Sequence, residues 1–473
     1  MAGIPLTLVD TAAALRSRAV TSVELVEEAI MRADALDERL GVYITRLDDS
    51  ARAGAARADA DFAAGIDRGP LQGVPIGVKD ILAASEGPTT GQSLVLDPAW
   101  GEGRDAIAVE RLKGAGAVIT GKLSTMEFAC GLPDPAKPFP LPRNPWDLET
   151  WPGGSSSGTG AGVAAGLFTA GLGTDTGGSI RIPAIYCGVS GLMPTFGRVP
   201  NAGCVPLGYS LDHIGPLARS ARDCAVVLAA IAGPDPRDPY AADVIPFTAP
   251  VDLDGSLTGL RIGLEREHHL GVEGEDPAVP GAFEAAATVL GELGATVVEV
   301  ALPHYAEVMV AALVTCMAES LAYHAADLRE RPQDFARSNR SMLPLGACFS
   351  GADYVQSQRV RRVAQRALAS VFADVDVIAM PAASRVAPRY DHLLEASTLE
   401  VLAGIHTMYW DAVGNPALVV PMGFNADGLP LSLQLAARPF EEELLVRAGD
   451  AYQRATNWHL QVPALARDLS VTA

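Results

Sequence analysis

Residues 152–181 read PGGSSSGTGAGVAAGLFTAGLGTDTGGSIR. Two glycine- and serine-rich turns flank a run of small residues. The run reads as a small-residue helix packed closely on a sheet. Glycine lacks the Cβ that would keep consecutive backbone N–H groups apart, and such converging groups bind anions. The oxyanion of acyl transfer needs that arrangement. Ser179 ends the second turn, but a serine nucleophile needs a proton acceptor nearby.

The acceptor is sought outward from this stretch. Residues 1–212 contain no histidine, and a later one would have to fold back. Lysine is more informative. Among 36 Lys and Arg, only Lys79, Lys113, Lys122 and Lys137 are lysines. Lys113 ends a helical pattern, Lys122 ends a strand pattern and Lys137 lies in a proline-rich loop. Only Lys79 sits inside an apolar run, VPIGVKDILAA. Arginine keeps its charge, whereas burial can turn lysine into a neutral amine base. The plainer alternative is that Lys79 snorkels from a strand end or pairs with Asp80.

The flanks predict an α/β chain. Residues 7–65 carry helical spacing with a Thr/Ser start and early acids at TSVELVEEAI. GVPIGVKDILAA (73–84) reads as a buried strand, and AIAVERLKGAGAVITGK (106–122) as helix, glycine stop and strand. Residues 306–372 are mostly helical. PALVVPMGF (416–424) and LPLSLQLAA (429–437) flank NADG as a hairpin. GAVITGKL (116–123) nearly matches a phosphate loop, but Leu123 stands where the magnesium-binding hydroxyl belongs. The eight histidines show no metal spacing, and the pair His268 and His269 reads as an exposed turn.

Composition narrows the class. The chain has 473 residues, is 49% hydrophobic and carries net charge −20, which argues against direct nucleic-acid binding. Six scattered cysteines and no charged-then-apolar leader predict a reduced, cytoplasmic protein. The apolar runs 224–233 and 308–318 fall short of a bilayer span and read as buried helices.

Together these residues resemble the amidase signature family. The match runs from GVPIGVKDI through RNPWDLETWPGGSSSGTGAGVAAG and LGTDTGGSIRIPAIYCGVSGLMPTFGRV to SLDHIGPLARSARD. It resumes at GNPALVVPMGF, GLPLSLQ, RPFEEELL and ATNWH. The resemblance implies an α/β fold with a large twisted mixed sheet covered by helices on both faces. It implies one domain over 1–473, with a helical segment at 1–65, a signature core at 66–225, a variable substrate-shaping region at 240–405 and a completing segment at 406–473.

The resemblance also implies a Ser–cisSer–Lys triad. The nucleophile matches Ser179, the bridging serine Ser155 and the base Lys79. Thr176, Gly177, Gly178 and Ser179 would supply the oxyanion N–H groups, Ser156 would support the network, and no cofactor or metal is implied. Asp175 and Arg181 read as braces. Ser157 departs from the family's GGSSGG. Met126, Phe128, Cys130, His406, Tyr409 and Trp410 are candidate pocket residues.

The expected activity is hydrolysis of a small-molecule carboxamide through a Ser179 acyl-enzyme, by a chain acting alone or as a homodimer. The partner is then the small amide itself, with no membrane or nucleic acid. The alternative is the glutaminase subunit of a tRNA-dependent amidotransferase. That reading needs charges for the ends of glutamine: Arg361 for the carboxylate and an acid upstream of GNPAL, where only Asp411 stands. A catalytically dead binding subunit is disfavoured by the intact Lys79, Ser155 and Ser179.

Overall fold

A computed structural model describes residues 6–467; residues 1–5 and 468–473 of the expected terminal segments lie outside the described residues. The strands form one sheet in the order β1-β3-β2-β4-β6-β5-β10-β11-β9-β7-β8. They are β1 (Tyr43–Arg46), β2 (Pro75–Lys79), β3 (Val118–Leu123), β4 (Ala170–Asp175), β5 (Ser190–Met193), β6 (His213–Ala218), β7 (Arg261–Glu265), β8 (Thr296–Val300), β9 (Val377–Pro381), β10 (Ala417–Phe424) and β11 (Pro430–Ala437). β3, β2 and β4 run parallel, β6 through β11 pair antiparallel, and the parallel sense returns at β9-β7-β8. The α/β class is as the strand and helix patterns predict, and the large mixed sheet is as the family resemblance implies.

Both faces of the sheet are covered, and strand periodicity shows it. Side chains alternate between faces along a strand. Val377 and Ala379 join one apolar cluster, Ile378 and Met380 another. Leu418 and Val420 likewise part from Val419. A strand buried on both faces reads as an unbroken apolar run, which is why ALVVPM lacks polar alternation. One layer contains helices Ile107–Gly114, Ala221–Ile231, Ala278–Glu292 and Glu442–Thr456. The other contains Ser157–Ala165, Arg181–Cys187, Tyr305–Glu330 and Gly351–Asp374.

The small-residue helix Ser157–Ala165 lies against the sheet as expected. A Cβ on Gly162 would stand 2.2 Å from Phe168 Cζ, and one on Gly160 2.7 Å from Pro183 Cβ. Ser157 opens this helix, and its buried Oγ has no hydrogen-bond partner among the described residues. The hairpin is present, closed by Asn425 N–H donating to Leu429 O. Thr21 and Glu24 form the capping box that starts helix Ser22–Leu40.

Several expectations need correction. The strand expected over 73–84 ends at Lys79, where Leu82 N–H turns back onto Lys79 O. The segment 7–65 contains β1, four residues too short to leave a pattern. His269 is buried rather than exposed, because its ring bonds Glu265 at the end of β7; His268 stacks on Tyr305 at 4.5 Å. Helix Tyr305–Glu330 has the length and composition of a bilayer span, longer than the run read from sequence. Its Val308, Ala312 and Cys316 are buried inside the protein.

The close approach at Gly162 yields a stability prediction. Gly162→Ala should destabilise the protein by about 1–3 kcal/mol, the usual cost of overpacking a tight core, read as a lowered denaturant midpoint. An unchanged midpoint would mean that Phe168 can move aside freely.

Candidate active site

The site lies at the carboxyl ends of β2 and β4, where open α/β sheets bind ligands. β2 and β4 are parallel neighbours with Val78 opposite Leu172. Just beyond that pair stand Lys79 and Thr174, and Lys79 Nζ donates to Thr174 Oγ1 at 2.8 Å. It also donates to Ser155 Oγ at 2.6 Å. Ser155 follows a cis peptide bond from Gly154. Ser156 ties the two serine turns together. Its N–H donates to Ser179 O at 3.1 Å, and its Oγ donates to Thr174 O and accepts from Thr174 N–H, each at 3.2 Å. Ser155 and Ser179 sit on the floor of one cavity.

Two lysines are fully buried here, not one. Lys122 pairs with Asp80 at 3.0 Å and donates to Thr89 Oγ1 at 2.7 Å. Asp80 is therefore the partner of Lys122, and Lys79 has no carboxylate within bonding distance among the described residues. Burial lowers the Lys79 pKa to about 7, against the opposing pull of Asp175 and Asp212. An amine near half-neutral at physiological pH, bonded to a serine hydroxyl, can accept a proton.

Beyond β4 the chain turns through Thr176–Ser179 into helix Arg181–Cys187. Asp175 shapes this turn, accepting from Gly178 N–H at 2.5 Å, Ile180 N–H at 3.1 Å and Arg181 Nε at 3.0 Å. Gly178 N–H is thus spent inside the turn, which corrects its place among the expected oxyanion donors. Among the described residues, the N–H groups of Thr176, Gly177 and Ser179 have no protein acceptor. Gly178 has φ +130°, and a Cβ there would stand 2.2 Å from Thr407 Oγ1. Thr407 in turn donates to Gly177 O at 2.7 Å.

Arg181 is fully buried and spends its N–H groups on Asp175, Asp411, Thr407 O and Gln434 Oε1. Burial opposes ionisation of Asp175, but the guanidinium outweighs it and holds the carboxyl below the usual range. Burial and the neighbouring Asp175 push Asp411 up. Asp175 and Arg181 are the braces expected.

The cavity above these groups measures about 340 Å³, and no charged side chain lines it. Met309, Leu313 and Met317 form one wall, with Ile182, Leu402 and Met408 around them. Of the six expected pocket residues, only Cys130 reaches it. Met126 packs under Gly154, and Phe128 sits in core against His324 at 4.3 Å. His406 packs against His269, while Tyr409 and Trp410 enter a core cluster. On their helix it is Met408 that faces the cavity, and the following residues rotate away from it. Thr174, Thr407 and the methionine wall were missed. The wall had a visible signal: 309, 313 and 317 recur at one face of the helical run VMVAALVTCMA.

The charges expected to hold glutamine are also occupied. Arg361 donates to Ala412 O, Ser210 Oγ, Ser210 O and Gln358 Oε1. Asp411 faces Arg181 rather than the cavity.

The family model Amidase matches residues 24–446. A glutamyl-tRNA(Gln) amidotransferase subunit from Roseiflexus sp. (strain RS-1) is 41% identical, covering 97% of this chain and 98% of its own. A solved structure described as "An unexpected vestigial protein complex reveals the evolutionary origins of an s-triazine catabolic enzyme" superimposes with TM-score 0.87 at 35% identity over 95% of this chain and 98% of its own. Native peptide amidase from Stenotrophomonas maltophilia gives 0.80 at 30% identity over 96% and 98%. The Roseiflexus relative is by name one subunit of an enzyme of glutamyl-tRNA(Gln). That finding overturns the expected partners, a free small-molecule amide and at most a second copy of the chain. The chain belongs to the amidase signature family and is a hydrolase of amide C–N bonds.

Proposed function

We propose that this chain breaks an amide bond through an acyl-enzyme on Ser179, as the amide-hydrolysing subunit of an amidotransferase of the glutamyl-tRNA(Gln) type. The chemistry is carried by one observation: Lys79 is buried without a carboxylate and bonded to Ser155. The assembly is supported by the Roseiflexus amidotransferase subunit, which this chain matches almost end to end.

In this proposal, neutral Lys79 draws a proton through Ser155 from Ser179, whose Oγ attacks the amide carbon. The N–H groups of Thr176, Gly177 and Ser179 receive the oxyanion, each such donor being worth roughly 100- to 1000-fold in rate. Ser155 then protonates the leaving nitrogen, and water releases the acyl group.

A second reading rests on the cavity. Glutamine presents an ammonium and a carboxylate, and burying either unpaired is costly. A cavity walled by Met309, Leu313 and Met317, with Arg361 and Asp411 committed elsewhere, favours an amide with an apolar acyl group.

Ammonia release from glutamine and from an apolar primary amide separates the readings, assayed with and without the other amidotransferase subunits. Glutamine turnover that requires partners supports the first. Turnover of the apolar amide by the chain alone, with glutamine inert, supports the second. Ser179→Ala should lose at least about 1000-fold in kcat on either substrate; retained activity would overturn the acyl-enzyme.

The pH dependence follows from the base being the unprotonated amine. Below about 7 Lys79 takes up a proton, so kcat/KM should fall about tenfold per pH unit, and above it should level off. A profile flat from pH 5.5 to 9 would exclude Lys79 as the base. The two buried lysines should also part in mutation. Lys79→Met should abolish turnover while the protein still folds. Lys122→Met strands Asp80 and should cost about 3–5 kcal/mol of stability, measured by denaturant unfolding.

A further inference from the structure

We infer that Asp212 is a positioning residue that aims the oxyanion turn by holding the hydroxyl of Thr176. The inference rests on the Ser179 acyl-enzyme reading.

Asp212 immediately precedes β6, and His213 pairs across from Asp175 on β4. This antiparallel register sets Asp212 opposite Thr176, the first residue of the turn. Thr176 Oγ1 donates to Asp212 Oδ1 at 2.6 Å. The same carboxylate accepts from Gly208 N–H at 3.0 Å and Leu207 N–H at 2.9 Å. Its two oxygens therefore take three donors while the residue is only 8% exposed. Burial pushes its carboxyl up to about 6, against the pull of Thr176 and the two amides.

The consequence lies in where these donors sit. Thr176 and Leu207 both line the cavity. The backbone N–H of Thr176 is one of those without a protein acceptor. Donors must be held within about 0.5 Å of the productive position to act on a developing charge. Asp175 fixes the turn at Gly178, and Thr407 fixes it at Gly177 O. Both belong to the Arg181 network. Thr176 is outside it, and Asp212 is what fixes that end.

Asp212 also joins the turn to the outer wall. Two residues earlier, Ser210 donates from N–H and Oγ to Glu319 at 2.9 and 2.7 Å. Arg361 donates to Ser210 from the helix Gly351–Asp374. The segment carrying Leu207 is therefore clamped by Asp212 on the sheet side and by Glu319 and Arg361 on the helix side.

The test uses the full chain, with the other amidotransferase subunits where turnover needs them, and whichever amide is hydrolysed. Variants are Thr176→Val, Thr176→Ser, Asp212→Asn and the double variant Thr176→Val/Asp212→Asn. Thr176→Val should lower kcat about 10- to 100-fold with KM within about twofold, since an interaction that matters in the transition state leaves ground-state binding intact. Thr176→Ser keeps the hydroxyl and should recover to within about threefold of wild type. Asp212→Asn should resemble Thr176→Val, and the double variant should be no worse than either, since coupled residues are non-additive.

A wild-type kcat in Thr176→Val, failure of Thr176→Ser to rescue, or multiplied effects in the double variant would overturn the inference. If Asp212→Asn does not fold, the valine and serine variants still decide it. Ser179→Ala in parallel keeps the two readings apart: activity there removes the acyl-enzyme whatever Asp212 does.

Discussion

The turn that leads to Ser179 is anchored on one buried cation. Arg181 is sealed from solvent, and each of its N–H groups is taken: two by Asp175, one by Asp411, and the others by Thr407 O and Gln434 Oε1. Burying an ion costs several kcal/mol unless its pairing is complete. The arrangement is therefore all-or-none. Asp175 ends β4, Thr407 and Asp411 come from the segment before β10, and Gln434 is on β11. One guanidinium thus brings together parts of the chain more than 200 residues apart, and the turn carrying Ser179 inherits its shape from them.

Lys79 and Lys122 show what the same burial does to a weaker base. Both lie at the ends of neighbouring parallel strands, both are sealed, and desolvation lowers both pKa values. Asp80 opposes that lowering at Lys122 directly. At Lys79 the bonded partners are hydroxyls, which accept from the amine without holding its proton. One lysine is a strut, and the other is free to change protonation state. Arginine would serve neither as an adjustable base nor as a group that burial could neutralise.

Much of this was legible in the sequence, for reasons that differ by residue. Lys79 and Ser179 stand out because their surroundings are unusual, a lysine in an apolar run and a serine ending a glycine turn, whereas Ser155, the first of three serines after PGG, is singled out by the family resemblance alone. The β10–β11 hairpin follows from local turn chemistry at NADG. The pocket was not legible, because facing depends on tertiary context. His406, Tyr409 and Trp410 look like pocket residues by chemistry, yet the neighbours that reach the cavity are Thr407 and Met408. The partner of Asp80 was equally hidden. Adjacency suggested Lys79, but successive residues on a strand point to opposite faces, and Lys122 comes from the strand alongside.

The distribution of charge around the cavity narrows what the site can recognise. Arg181 pairs with Asp175 and Asp411 beneath the turn. Arg361 is spent on backbone carbonyls and Ser210, and Glu319 on Ser210 and Tyr354. A charged substrate end would have to break one of these contacts and leave a buried partner unpaired, at about 1–3 kcal/mol or more. An apolar acyl group displaces nothing, and each methylene buried against Met309, Leu313 or Met317 gains about 0.8 kcal/mol. These polar groups satisfy one another and none of them lines the cavity. By satisfying one another they leave the cavity without a charged side chain, so the polar groups at its base are the Ser155 and Ser179 hydroxyls and, among the described residues, the N–H groups of Thr176, Gly177 and Ser179 that have no protein acceptor.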